Sequence, residues 1–177
     1  MDEAVCIASG PSLTREDCAL VKAWQGESRG VVVVNNTYVL CPWADALYAM
    51  DNEWWRVHLG CVYNYFTGTL YSRYGNYGTH RVADHGRNSG AGAILLAASL
   101  GAKRILLLGY DCQTGERKHW HEDHEKPLGN CESMIHWPGH FQKVKDSIES
   151  EVINCSRSTA LTVFPRGTLE DELYRAV

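Results

Sequence analysis

Residues 88–111 read NSGAGAILLAASLGAKRILLLGYD, and this stretch decides the fold. Its middle, residues 93–102, is a compact apolar helix whose Ala and Gly content permits close packing on a sheet. Gly101 is the natural stop, because a helix commonly ends on a glycine in the left-handed conformation. Arg104 to Leu108 then forms a short, uninterrupted apolar strand that ends at Gly109-Tyr110-Asp111. A continuous apolar strand is what a parallel sheet covered on both faces requires.

The same unit recurs on either side. Ala4 to Ala8 is an apolar run ending in Ser9-Gly10-Pro11-Ser12, followed by an amphipathic helix from about Thr14 to Gln25. Thr14 with Asp17 makes a capping box, and Leu20, Val21 and Trp24 supply the buried stripe. Four β-branched residues, Val31 to Val34, end at Asn35-Asn36. A further strand, Ala46 to Met50, ends at Asp51-Asn52 before a helix carrying Trp54, Trp55, Val57 and His58, with at least one tryptophan in the core. Cys61 to Arg87 lacks periodicity and reads as irregular, with one short strand near Thr69 to Ser72. Residues 112–139 read as a long excursion from the carboxyl end of a strand. A helix from about Phe141 to Glu149, a strand from Glu151 to Asn154, a turn at Ser156-Arg157-Ser158-Thr159 and a charged helix after Pro165 complete the chain. Strands alternating with helices predict an α/β fold, a Rossmann-like doubly wound and mostly parallel sheet, as one domain over residues 1–177 with a His-rich loop insertion.

Composition agrees with one folded unit. The 177 residues are 45% hydrophobic and 21% charged, which excludes disordered, collagen-like and coiled-coil chains. Seventeen basic and 21 acidic residues give a net charge of −4, which argues against a polyanion-coating or membrane-surface role and leaves room for a local phosphate pocket. The seven cysteines are scattered without a CxxC pair, so neither a disulfide framework nor a zinc ribbon is expected, and a reducing cytosol is the simpler home. The chain opens with acids where a signal peptide carries basic residues, and no apolar run reaches membrane-spanning length. A soluble, cytoplasmic protein is expected, and its aromatic content allows a homodimer.

The strand ends carry the functional signal. In open parallel sheets, ligands bind outside the carboxyl ends of the strands. Here those positions hold Ser9, Gly10, Pro11, Ser12, Asn35, Asn36, Asp51, Asn52 and Asp111, nearly all of them hydrogen-bonding residues. Asn88-Ser89-Gly90, with Arg87 before it, is a second candidate anion site at the start of a helix, where Ser89 can also serve as N-cap. Neither GxGxxG nor GxxxxGK[ST] is present, so no dinucleotide or Walker fingerprint applies.

The strand ending in GPSL, the strand ending in Asn, and the NSG-helix-strand unit ending in LLLGYD together resemble the bacterial sialyltransferases. They are also similar to the wider superfamily of 6-hydroxymethylpterin diphosphokinases and uncharacterised bacteriophage proteins. The phage members are nearest in size and in the C-terminal VINCSRSTALTVFPRGTLEDEL. The matches fall at residues 4–13, 31–36, 87–111 and 151–172. This resemblance implies a glycosyltransferase using a CMP-type nucleotide-sugar donor, without a divalent metal, in the host cytoplasm if phage-encoded. The donor would lie against Ser9, Gly10, Asn35 or Asn36, Asp51 or Asn52, and Asn88-Ser89-Gly90; Ser9 stands where the sialyltransferase pattern has Asn. The diphosphokinase resemblance implies instead ATP-dependent transfer with Asp51 or Asp111 on Mg²⁺. A third reading is an accessory protein that binds or sequesters a nucleotide without turnover.

Five of the eight histidines, His119, His121, His124, His136 and His140, fall in one short stretch. His119-Trp120-His121-Glu122-Asp123-His124 fits HxHxDH, a pattern similar to the dinuclear zinc motif of the metallo-β-lactamases. If a metal is held at all, His119, His121, Asp123 and His124 are the candidates. The expected role is nonetheless metal-free: imidazoles facing the ligand crevice, one acting as general base. His140, at a helix start after Trp137-Pro138-Gly139, is the first candidate, with His136 and His124 behind it. Trp120, Trp137 and Tyr110 could stack on a base or sugar, or pack in the core.

Overall fold

The apolar runs of the sequence become strands whose two faces are both covered. A computed structural model describes residues 1–113, 115–129, 131 and 133–175; Thr114, Asn130, Glu132, Ala176 and Val177 lie outside the described residues. The strands are β1 (Glu3–Ile7), β2 (Arg29–Val34), β3 (Ala46–Ala49), β4 (Thr69–Ser72), β5 (His80–Arg81), β6 (Arg104–Leu108) and β7 (Glu151–Asn154). Every residue of β3 and β6, and all but the first of β1 and β2, is buried, which explains the unbroken Val, Ile and Leu runs.

All seven strands pair in parallel in the order β5-β4-β3-β2-β1-β6-β7. The chain steps outward from β1 to β5, then returns to lay β6 on the free side of β1. Strand order therefore reverses between β1 and β6, where Ile7 sits level with Leu108. The expectation of a Rossmann-like, doubly wound sheet holds.

The helices are α1 (Arg15–Trp24), α2 (Asn52–Tyr65), α3 (Ser89–Ser99), α4 (Trp137–Ser147) and α5 (Leu169–Leu173). Val5, Ile7, Val31, Val33, Leu106 and Leu108 face α1, α2 and α5, whereas Ala4, Cys6, Val32, Val34, Ile105 and Leu107 face α3 and α4. This is period-two alternation serving two cores. The small residues of α3 let it lie close to the sheet: a Cβ on Gly92 would fall 2.3 Å from the Tyr48 ring.

Several local expectations change. Helix α2 continues through Cys61 to Tyr65, because Val62 and Phe66 bury against the same core as Trp54 and Trp55. Only the chain beyond it is irregular, and that part contains the two-residue strand β5. Asn88, not Ser89, caps α3: its side chain accepts from the Ala91 amide at 2.8 Å. A 3-10 turn at Met134–His136 leads into α4, which starts at Trp137, four residues earlier than read from the sequence, because Pro138 suits the first helical turn. The Thr14 and Asp17 capping box forms as expected, with both reciprocal bonds present. Thr14→Ala is expected to lower stability by about 1 kcal/mol in urea unfolding, since one amide of α1 loses its acceptor.

Candidate functional site

A cavity of about 260 Å³ opens where the strand order reverses. Its wall takes Ser9 and Gly10 from the end of β1, Asn35 from β2, Asp51 from β3, Asn88, Ser89 and Gly90 from the start of α3, and Asp111 from the end of β6. Arg87, Lys118, His119, His124 and Trp137 complete it, with Cys112 and Cys131. Strand ends that are far apart in sequence thus converge, as doubly wound sheets require.

The two loops at the reversal are locked together. Gly10 N–H donates to the Gly109 carbonyl at 2.8 Å, and Ser12 donates to Asp111 through its amide at 2.8 Å and its hydroxyl at 2.7 Å. Burial pushes the Asp111 carboxyl above its usual range, against the lowering effect of the two Ser12 bonds. Asp111 is 3% exposed, so its carboxylate fastens the turn of Ser9 to Ser12. Pro11 and Ser12 do not reach the cavity, and the Gly10 and Ser12 amides are already used.

The start of α3 differs. The Ser89 and Gly90 amides belong to its first turn and have no protein acceptor among the described residues. Ser89 Oγ accepts from the Met50 amide at 3.1 Å, which fixes this helix end against β3. Arg87 lies on the same rim and forms no ion pair among the described residues. Free amides, a helix dipole and a guanidinium in one place make a site for an anion.

The paired candidates separate. Asn35 faces the cavity, whereas Asn36 Oδ1 accepts from Trp54 Nε1 at 2.7 Å outside it. Asp51 lines the cavity and makes no capping bond to α2, and burial raises its carboxyl above the usual range despite Arg73. Asn52 is not on the wall.

Backbone strain gathers here too. Asn35, Arg87, Cys112 and Cys131 have φ of 48°, 66°, 49° and 66°, and Tyr77 alone among the other described non-glycine residues shares a positive φ. Four of these five line this one cavity. Left-handed non-glycine residues cost energy and concentrate at functional sites.

The histidines divide. His119 and His124 reach the cavity, while His140 lines a neighbouring cleft with Arg87 and Lys143 and accepts from Asn88 Nδ2 at 3.3 Å. His136 is exposed at the end of the 3-10 turn and lines neither. His119 is 8% exposed, with Nδ1 3.4 Å from Ser9 Oγ and Nε2 3.6 Å from Cys131 Sγ. Burial, then His121 and His124, pulls its imidazole down to about 4. His124 and His121 are lowered chiefly by burial, and His140 by burial and Arg87. These rings are neutral near pH 7.

Two of the candidate ligands of the HxHxDH segment are engaged elsewhere. Asp123 is half exposed and paired with Lys118 at 3.4 Å, and His121 Nδ1–H donates to the Glu122 carbonyl at 2.6 Å. Among the described residues no three His, Cys, Asp or Glu side chains are placed to hold an ion.

Lys118, Cys112, Gln113 and Cys131 were not visible as site residues in the sequence. Lys118 adjoins the histidine cluster and was open to inclusion there, but nothing in their spacing pairs Cys112 with Cys131. Trp120 packs on the core away from the cavity wall, and Tyr110 lines the cavity but is buried, with its hydroxyl on the Gly90 carbonyl at 3.0 Å. Trp137 remains on the cavity wall.

Fold and cavity together define a Rossmann-like α/β protein with a crevice at its topological switch point. Comparison of the chain with protein-family models, with curated proteins and with solved structures returns no match. No described helix is long and apolar enough to cross a membrane.

Proposed function

We propose that the protein binds a nucleotide-activated donor in this cavity and acts as a glycosyltransferase-like enzyme. The observation that carries the reading is the start of α3, where the Ser89 and Gly90 amides and the Arg87 guanidinium line the cavity with no hydrogen bond or ion pair among the described residues. The donor phosphate sits there, not on the turn after β1, where the Gly10 and Ser12 amides are engaged. Asn35 and Asp51 face the nucleoside or sugar hydroxyls, and Lys118 adds a second positive charge. A cavity of about 260 Å³ is near the lower end for small-molecule sites, which suits a nucleotide rather than donor and acceptor together.

Of the three histidines expected as base, His124 lines the cavity and His140 and His136 do not, so the base role goes to His124. In the transfer, the acceptor hydroxyl oxygen attacks the anomeric carbon, its proton passes to His124, and the sugar–phosphate bond breaks to release the nucleotide. Burial lowers the pKa of this imidazole and keeps it neutral near pH 7. The diphosphokinase reading would place Mg²⁺ on Asp51 or Asp111; both line the cavity, and each Asp111 oxygen already accepts one bond from Ser12.

Titration of CMP, UDP, GDP and ATP by calorimetry tests the proposal. At least one should bind at millimolar concentration or better, and Arg87→Ala should weaken it about tenfold, the size of a hydrogen bond to a charged group. His124→Ala should leave binding and abolish turnover. No binding to any of the four, or indifference to Arg87→Ala, overturns the reading. Binding that His124→Ala leaves intact with no product ever formed points to sequestration instead.

A further inference from the structure

His58 lies on α2, in no strand-end loop and outside the cavity. Its ring stacks on Trp54, one helical turn earlier, with centroids 4.7 Å apart and planes at 26°. Its other side meets His124 edge-on at 6.1 Å. From His124 the ring contacts continue to His121 at 4.9 Å and His119 at 5.5 Å, and His121 is flanked by His119 at 4.8 Å and Trp120 at 5.0 Å. At the far end His119 reaches Ser9, and the Trp120 amide donates to the Ser9 carbonyl at 3.1 Å. A continuous line of rings therefore runs from the buried face of α2 to the floor of the cavity.

Two properties of this line decide its role. The rings are neutral, His58 and His119 both held near 4 mainly by burial, so they pack as aromatic bodies without mutual repulsion. The carbonyl of Glu122 can only accept, so His121 carries its proton on Nδ1 and packs its bare Nε2 inside the cluster. Among the described residues the cluster offers no ligand set for a metal, and its rings pack against one another.

We propose that His58 is a positioning residue: by bridging Trp54 and His124 it latches the segment of residues 117–128 over the cavity and holds His124 and His119 on its wall. The inference rests on the reading of that cavity as the nucleotide site. The segment has its own small foothold on the core through Trp120 and Leu128, and His58 adds a contact from α2 to His124 itself. Sequence spacing carries the trace of it, since Trp54 and His58 are four residues apart on one helix face.

The test compares His58→Leu, which removes the ring, with His58→Phe, which keeps it. Tryptic cleavage after Arg117 and Lys118, identified by fragment mass, reports opening of the segment, and thermal unfolding reports the fold. His58→Leu should speed this cleavage about five- to tenfold, the scale of two aromatic contacts, with cleavage elsewhere unchanged. His58→Phe should restore the wild-type rate. Turnover should fall and recover in parallel, while nucleotide binding persists as it does in His124→Ala. Wild-type cleavage in His58→Leu, or no recovery in His58→Phe, overturns the latch. Protection of the wild type by added Zn²⁺ that His58→Phe abolishes would also overturn it, in favour of metal ligation. If no nucleotide binds the wild type, the functional reading fails, and the cleavage comparison still decides the latch.

Discussion

Replacing Gly10 by alanine is expected to abolish ligand binding and to destabilise the fold by about 1–3 kcal/mol, the cost of overpacking a close contact. A Cβ at this position would stand 2.4 Å from both Asp111 Oδ1 and the Gly109 carbonyl oxygen. Neither neighbour can yield cheaply. The carbonyl accepts the Gly10 amide, and Gly109 is itself fixed in the left-handed region with φ of 67°. The carboxylate is buried and held by both donors of Ser12. Relief of the clash must separate the loops after β1 and β6, and the cavity lies across that seam. Gly60→Ala is the control: nothing lies within 4 Å of its Cβ on the exposed face of α2. There alanine should raise stability by about 0.5–1 kcal/mol, since glycine is the poorer helix residue. Urea unfolding with calorimetry on both variants separates packing from propensity. Wild-type stability and affinity in Gly10→Ala would show that the two loops do not have to touch.

That contrast bears on how much was legible beforehand. Burial on both faces writes itself into composition, so β1, β2, β3 and β6 were plain in the runs AVCIA, VVVV, ALYAM and RILLL. Their polar ends were plain for the same reason, because a strand leaving the sheet exchanges apolar cover for hydrogen-bonding residues. What the sequence did not carry was the direction each of those residues takes. Asn35 and Asn36 are chemically identical, and only the left-handed backbone of the first, with the Trp54 bond of the second, sends one into the cavity and the other away. Asp111 read as a ligand-facing acid, yet its oxygens are taken by Ser12, a residue 99 positions away. His140 was favoured for its place at a helix start, but the same place turns it to the far side of Arg87. The short edge strand β5 escaped notice because two residues carry no period. Local chemistry was readable; pairings between distant loops were not.

Acidification from pH 7 to pH 4 is expected to open the histidine segment well before the sheet unfolds. A free histidine titrates near 6.5, whereas His58 and His119 are held at about 4 in the closed arrangement. Between these values the opened segment binds protons that the closed one refuses. Closure is therefore fully favoured above about pH 6.5 and loses ground as pH falls toward 4. Each histidine that titrates this way contributes about a tenfold shift in the opening equilibrium per pH unit. His121 and His124 are displaced in the same direction and add to the slope. The flanking charges divide: Asp123 favours protonation of the three loop histidines, while Lys118 opposes it at His119 and Arg117 at His121. Burial outweighs them at each ring. Strands β1 and β6 contain no histidine, so they should not respond over this range. Hydrogen exchange by mass spectrometry, corrected for its intrinsic pH dependence with an exposed peptide of the same protein, reads the effect directly. Protection at residues 117–128 should fall by about one to two orders of magnitude per pH unit below 6.5, while β1 and β6 stay protected. A pH-independent segment, or loss of protection in segment and sheet together, would mean that these imidazoles do not hold the loop closed.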